Sequence, residues 1–375
     1  MVEGLAERVT LSLVLRRIEG GVEISQPPKV TVPCTVGPAG RFSFAQFVWR
    51  YLRQHHAEID GVLVQGYGLA ALAANLAGRV NRTPTSMLVC SPVEAYYKCR
   101  RAHPSSNKPF RRRELWSLIA LARLNAVFGQ RYVALSRHLA DVVRAHGTRR
   151  PIEIIPVYGV DTTLFAPSHE MRSAAKKRLG LPQQGFLIFF SSRVAPEKDS
   201  ETLLVAIRQL LDKGHDLWLL HRSGGYRAFI QDAIRFGVAE RVIATDAVHP
   251  HGQLPEDYRA CDLCVQASRE EGLGFSVLEA LASEVPVIAA AVGGLRETIK
   301  EGTTGWTYPV GDATALAGRI EATLANRPEA MHRAATGRRM VCATYDRQLV
   351  FARLAEALER NPLTSVQPGP LSAAP

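Results

Sequence analysis

Between Gln266 and Gly294 the chain reads QASREEGLGFSVLEALASEVPVIAAAVGG: an apolar run, a glycine turn, a helical pattern and a second apolar run in immediate succession. Leu263 to Ala267 has the length and composition of a buried strand. A helix starting near Phe275 would place Val277, Leu278, Leu281 and Ala282 on a packing face, and Pro286 to Ala291 reads as another strand ending at Gly293-Gly294. So short a succession is one αβ repeat of a parallel sheet, whose ligands bind beyond the carboxyl ends of the strands. The turn aims free backbone N–H groups of the helix start at an anion, and Gly272 and Gly274 let the backbone come close to it. Glu271 and Glu279 stand eight positions apart, one before the helix and one riding on it.

A chain of 375 residues exceeds the size at which single cores stop growing, so two domains are expected, and 46% hydrophobic content supplies them with apolar surface to bury. No apolar run approaches the roughly 20 residues that span a bilayer, and residues 1–25 lack the form of a signal peptide, so a cytoplasmic location is expected. Six scattered cysteines make no disulfide framework. Cys261 and Cys264 form a lone C-x-x-C, one member inside an expected strand, and read as buried thiols with no metal site. The net charge of +11 lies in the first half: residues 1–160 hold 22 Lys/Arg against 10 Asp/Glu. Its densest part, Lys98 to Arg113, reads as a Pro/Ser-interrupted loop suited to peripheral contact with an anionic membrane or to an anionic acceptor. No module that reads bases accompanies it, which argues against nucleic acid.

Strand and helix alternate through the second half: strands at Phe186 to Ser191, Leu217 to Leu220 and Val242 to Ala244, helices at Glu201 to Leu211, Asp232 to Phe236 and Leu254 to Arg259. The first half repeats the pattern with strands at Gly61 to Gln65, Met87 to Cys90 and Tyr132 to Ser136, and helices at Leu69 to Val80, Leu115 to Phe128 and Leu139 to Ala145. The fold class is α/β with doubly wound sheets. Residues 66–71, Gly-Tyr-Gly-Leu-Ala-Ala, match a dinucleotide fingerprint, but no acid follows the next strand, near Cys90 and Ser91, to hold a ribose, so a nicotinamide cofactor is rejected.

The glutamate segment, its flanking strands, Gly293-Gly294 with Glu297, and GTTGWTYPVGD ending at Asp312 together resemble the E-x7-E signature of the retaining glycosyltransferases of family four. The resemblance implies the GT-B fold, two Rossmann-like domains facing across a cleft. Domain limits are set at 1–160 for the acceptor side, completed by a helix over 345–360, and 161–344 for the nucleotide-sugar side, with 361–375 a disordered tail. Ile154 to Phe165 resembles the family's interdomain linker, with Tyr158 where that linker carries Asn. Ser191 to Asp199 resembles its phosphate loop, which implies that Arg193 and Lys198 contact the donor diphosphate, with Ser192 and Asp199 where the family has glycine. By the same resemblance Glu279 holds the donor ribose and Glu271 lies by the transferred sugar, while the backbone of Gly272, Leu273, Gly274 and Phe275 holds sugar hydroxyls and phosphate. Glu271, Arg193 and Lys198 are thus the catalytic candidates.

Three departures stand out. Cys90 or Ser91 takes the place of a histidine carried by many members, His221 to Gly225 replaces a G-x-G, and LAERVTLSLVLRR aligns with the end of the first helix and the second strand, so the first βα unit is expected to be missing. The implied activity is metal-independent transfer of a hexosyl-type sugar from a nucleoside-diphosphate sugar, with retention and without a cofactor, to an acceptor the sequence does not identify (a glycan, a lipid-linked or a small molecule). The alternatives are a catalytically silent nucleotide binder, caused by the missing unit, and an epimerase or phosphorylase of the same fold.

Overall fold

Among the described residues, every paired strand runs parallel to its neighbour. The computed structural model describes residues 1–17, 32–103, 108–168, 172–245 and 254–360. The expected disorder of 361–375 falls outside them.

The first half opens with a short helix α1 (Val2–Ala6) and strands β1 (Leu13–Arg16) and β2 (Cys34–Gly37), which pair with each other as a separate two-stranded sheet. Helix α2 (Arg41–Gln54) follows, then β3 (Val62–Gln65), α3 (Leu69–Asn81), β4 (Thr85–Val89), α4 (Val93–Ala102), α5 (Arg112–Phe128), β5 (Arg131–Ala134), α6 (Arg137–Ala145) and β6 (Ile152–Ile154). Strands β3 to β6 form a four-stranded sheet in sequential order. The second half contributes α7 (Arg172–Arg178), β7 (Phe186–Phe190), α8 (Ser200–Asp212), β8 (Leu217–Arg222), α9 (Tyr226–Arg235), β9 (Val242–Thr245), α10 (Leu254–Ala260), β10 (Leu263–Gln266), α11 (Phe275–Ala282), β11 (Val287–Ala290), α12 (Leu295–Thr298), β12 (Trp306–Tyr308), α13 (Ala313–Ala325) and α14 (Arg327–Thr344). Its six strands are ordered β12-β11-β10-β7-β8-β9, and α15 (Arg347–Glu359) ends the described chain.

The order reverses between β7 and β10, which puts the switch point of the six-stranded sheet at the carboxyl ends of those two strands. Strand β7 shows why the sheet is covered on both faces. Phe186, Ile188 and Phe190 enter one cluster with Leu203 and Ile207 of α8 and Leu316 of α13, while Leu187 and Phe189 enter the other with Val277 and Leu281 of α11 and Val341 of α14. FLIFF is apolar throughout because neither face meets water.

Two sequence expectations are corrected. Lys98 to Arg113 is not one loop: Lys98 to Ala102 end α4 and Arg112 begins α5. Tyr97 sets the angle between these helices, since its ring packs on Phe110 and its hydroxyl donates to Glu114 at 2.9 Å. Helix α9 starts at Tyr226, six residues before Asp232, because buried Phe229 and Ala233 lie one turn apart behind charged neighbours.

The chain crosses between the sheets twice, and the crossings are clasped. Val160 N–H donates to Tyr345 O at 2.7 Å and Arg347 N–H to Val160 O at 2.9 Å, a piece of parallel ladder reinforced by Thr162 Oγ1 to Asp346 at 2.6 Å and by an Arg347–Asp161 ion pair at 3.0 Å. Gly159 makes the approach possible: its φ is +58°, and a Cβ there would lie 2.4 Å from Arg347 Cα. Gly180, at φ +65°, has open space around the same point. Gly180→Ala should therefore cost only the left-handed strain, about 1 kcal/mol, and Gly159→Ala roughly 3 kcal/mol or more, because a backbone has to move. Denaturant unfolding of the two variants checks this; equal losses would dismiss the close approach.

Candidate functional site

The carboxyl ends of β7 and β10 carry the two loops singled out in the sequence. After β7 the chain turns through Ser191 to Asp199. Arg193 is exposed and, among the described residues, makes no ion pair, whereas Lys198 Nζ donates to Glu271 Oε2. Two of the expected catalytic groups are thus joined directly. Asp199 has φ +48°, the left-handed region in which glycine sits easily and Asp is among the better-tolerated residues. Its carboxylate is gripped by Thr202 Oγ1 at 2.7 Å and by Arg269 at 3.0 Å, so the departure from glycine is braced by side chains.

Gln266, fully buried at the end of β10, holds this corner together. Its Oε1 accepts from Ser276 Oγ at 2.8 Å, and its Nε2 lies 2.8 Å from Ser268 Oγ and 3.4 Å from Glu271 Oε2. Ser268 Oγ also donates to Glu271 Oε2, at 3.2 Å. Glu271 is buried, with Lys198, Gln266 and Ser268 converging on one of its oxygens. Backbone packing fixes it as well: Gly294 N–H donates to Glu271 O at 2.9 Å, and Cβ atoms at Gly293 and Gly294 would each sit 2.2 Å from a carbonyl oxygen, of Glu271 and Gly272 respectively.

The first half closes over these loops. Ser136 Oγ, at the N-cap of α6, donates to Gly272 O at 2.6 Å, and Glu297 accepts from the N–H groups of Arg137 and His138 at 2.9 and 2.7 Å, capping α6 from the opposite domain. His138 Nε2 lies 2.9 Å from Glu270, and that contact raises the imidazole above its ordinary value. From α4, Arg100 makes a two-pronged contact with the carboxylate of buried Glu197, Nε to Oε2 at 3.0 Å. Leu273 is buried in the shared core, and the ring of Phe275 meets Tyr158 edge-on at 5.3 Å. Tyr158 reaches Gln65 at 3.2 Å and Cys90 at 3.5 Å, so two departures from the family pattern touch each other. Burial pushes the Cys90 thiol up, which keeps it protonated and unsuited to act as a base.

Glu279 lies apart from Glu271's network. Its partner is Tyr258, whose hydroxyl sits 2.9 Å from Glu279 Oε2 and 3.1 Å from Ser276 O. One phenol hydrogen cannot serve both acceptors at once. A protonated Glu279 resolves the conflict by donating to Tyr258, which then donates to Ser276 O. Burial pushes this carboxyl up from its ordinary 4.5 to about 7, in keeping with that arrangement. His221 takes no part in the loop after β8: it is buried, stacks on Phe229 at 4.1 Å and donates from Nδ1 to Phe190 O at 3.0 Å, and burial lowers it to about 4. Cys261 and Cys264 are buried, with burial raising both thiols.

Residues 171–340, which carry all of this second-half machinery, match the family model described as Glycosyl transferases group 1. These residues are thus a group 1 glycosyl transferase domain. The chain is 35% identical over 203 residues to the D-inositol 3-phosphate glycosyltransferase of Geodermatophilus obscurus, a match spanning 51% of this chain and 44% of that protein. It is 31% identical over 257 residues to the GDP-mannose-dependent alpha-(1-6)-phosphatidylinositol monomannoside mannosyltransferase of Mycolicibacterium smegmatis, covering 65% and 66%. The chain thus spans about half to two thirds of these relatives. In fold it is similar to the sucrose-phosphate synthase of Thermosynechococcus elongatus (TM-score 0.77, 20% identity, 95% of this chain and 90% of that one) and to Anabaena HepE, solved with UDP and glucose (TM-score 0.68, 21% identity, 87% and 86%). The architecture is therefore GT-B.

Within this group 1 domain, Gln266, Ser268 and Tyr258 are residues that the motif reading passes over. A glutamine closing an otherwise apolar strand is the signal that could have found Gln266. The Glu279 carboxyl carries a pH signature. The unfolded chain ionises it near 4.5, so between 4.5 and about 7 the folded chain keeps a proton that the unfolded chain has released, and stability falls as pH rises through that window. Glu279→Gln should flatten this part of the stability profile, measured by denaturant unfolding at intervals from pH 4.5 to 8. Parallel profiles for parent and variant would show the carboxyl to be ionised in the fold.

Proposed function

We propose that the chain transfers a hexosyl-type sugar from a nucleoside-diphosphate sugar to an acceptor hydroxyl with retention of configuration, without a metal or cofactor. The observation that carries this reading is the convergence of Arg193, Lys198, Glu271 and the Gly272 to Phe275 turn at the switch point of the six-stranded sheet. A diphosphate laid there meets the N-terminal N–H groups of α11, the free guanidinium of Arg193 and the amine of Lys198, which together would neutralise the charge that builds on the leaving group. The bond from sugar C1 to the phosphate oxygen breaks as the acceptor oxygen bonds to C1 on the same face, and the acceptor proton passes to the departing phosphate. Cys90, held as a neutral thiol, supplies no base, consistent with that route. Glu271 orients the sugar and returns Lys198 to a partner when the diphosphate leaves.

The GDP-mannose in one relative's name and the UDP in a fold neighbour make those two bases the first to try. Titration calorimetry with UDP, GDP and ADP should find one that binds, with Arg193→Ala and Lys198→Ala each weakening it about ten- to hundredfold, the worth of a charge-assisted contact. Glu271→Ala should lower turnover more than nucleotide affinity. A folded chain that binds none of the three sinks the reading.

We further propose peripheral contact with an anionic membrane on the cytoplasmic side. Helix α5 supports it: Arg112, Arg113, Trp116, Arg123, Leu124 and Val127 are exposed along it, Trp116 at 65%. Vesicles of phosphatidylcholine with phosphatidylserine should co-sediment the chain, and Arg112→Gln, Arg113→Gln and Arg123→Gln together should abolish this; binding that persists leaves α5 an ordinary solvated face.

A further inference from the structure

Helix α4 belongs to the first half, yet two of its side chains, one turn apart, rest on the two donor loops of the second. The hydroxyl of Tyr96 meets the backbone of Gly272, and the guanidinium of Arg100, packed on the Tyr96 ring at 5.5 Å, takes both oxygens of Glu197. Glu197 immediately precedes Lys198 in the Pro196–Lys198 turn, and its side chain is fully buried while that of Arg100 is about half exposed. A buried carboxylate demands a cation. Burial acts to raise this carboxyl, and the hydrogen bonds from Arg100 overcome that and hold it below its ordinary value. The remaining ties of the turn leave the Glu197 carboxylate alone: Arg269 N–H donates to the Glu197 backbone carbonyl at 2.9 Å, and the Arg269 side chain grips Asp199. Lys198 is the adjacent cation, and its amine is committed to Glu271.

We propose that Arg100 is a positioning residue for the donor diphosphate: by neutralising Glu197 from across the cleft, it leaves Lys198 free to serve Glu271 and the phosphates. Without Arg100, Glu197 is a buried anion whose nearest replacement cation is Lys198, and the turn that presents Lys198 must distort to supply it. The helix thereby couples nucleotide affinity to the position of the first domain, since Arg100 leaves Glu197 whenever α4 moves away. This inference rests on the nucleotide-sugar reading of the same site.

The test is a double-mutant cycle on the full chain, read by titration calorimetry with whichever of UDP, GDP and ADP the parent binds, each variant first checked for a cooperative unfolding transition. Arg100→Gln should weaken binding about tenfold or more. Glu197→Gln alone should bind within about threefold of the parent, and the pair Arg100→Gln with Glu197→Gln should recover to the same level, because the uncompensated charge is gone. Arg100→Lys should retain part of the affinity. Recovery in the double variant is the outcome that a direct Arg100–phosphate contact does not produce, and the unfolding check separates it from a folding defect; a double variant as weak as Arg100→Gln overturns the positioning role. Undiminished binding by Arg100→Gln overturns it too while leaving the sugar-transfer reading standing, whereas a parent that binds no nucleotide removes both.

Discussion

The site depends on a contact between two glycines and two carbonyl oxygens. Gly293 and Gly294 lie so near the backbone of Glu271 and Gly272 that a methyl group at either would overlap it. That contact sets the direction of the turn after β10, and the turn sets everything that follows. The Gly272 carbonyl faces Ser136, Glu271 faces Lys198 and Gln266, and Phe275 opens α11 toward Tyr158. No side-chain interaction could fix a backbone so tightly, because side chains give by a few tenths of an ångström and carbonyls in a packed turn do not.

Around that fixed point the site is assembled from charges satisfied across the cleft. Glu297 caps α6, Glu270 meets His138, and Glu197 takes Arg100. Each carboxylate comes from the second half and each partner from the first. Glu197 and Glu270 sit on loops and Glu297 in α12, and their partners belong to the half of the chain that carries the net positive charge. The charge asymmetry of the sequence therefore serves the domain contact in part, through Arg100, and Arg112, Arg113 and Arg123 display more of it on α5.

The strands of the six-stranded sheet are legible in the sequence because burial on both faces makes each an unbroken apolar run, as FLIFF and VIAA show. The glutamate segment is legible for the same reason, its glycines and flanking strands occurring in a fixed order. Helix α4 is not: it has no buried residue at all, so it lacks the apolar stripe by which a helix is recognised. Helix α2 does carry such a stripe, Phe44, Phe47, Val48, Tyr51 and Leu52 at helical spacing, which the motif reading passes over. Cross-cleft pairs stay hidden for another reason: Arg100 and Glu197 are 97 residues apart, and nothing local in either segment names the other. Tyr158 and Cys90 show the converse, two departures from a motif that make sense only once they are seen in contact.

The clasp between Val160 and its neighbours at Tyr345 and Arg347 constrains how the two halves can move. Both chain crossings run side by side as a short hydrogen-bonded ribbon, so neither can slide without the other. Relative motion of the halves has to bend or twist that ribbon, with displacement growing with distance from it. Tyr158 is two residues from that ribbon and scarcely travels, which makes its cluster with Gln65, Cys90 and Phe275 the pivot stone of the cleft. Contacts at the rim, farther from the ribbon, are displaced the most by any such bending.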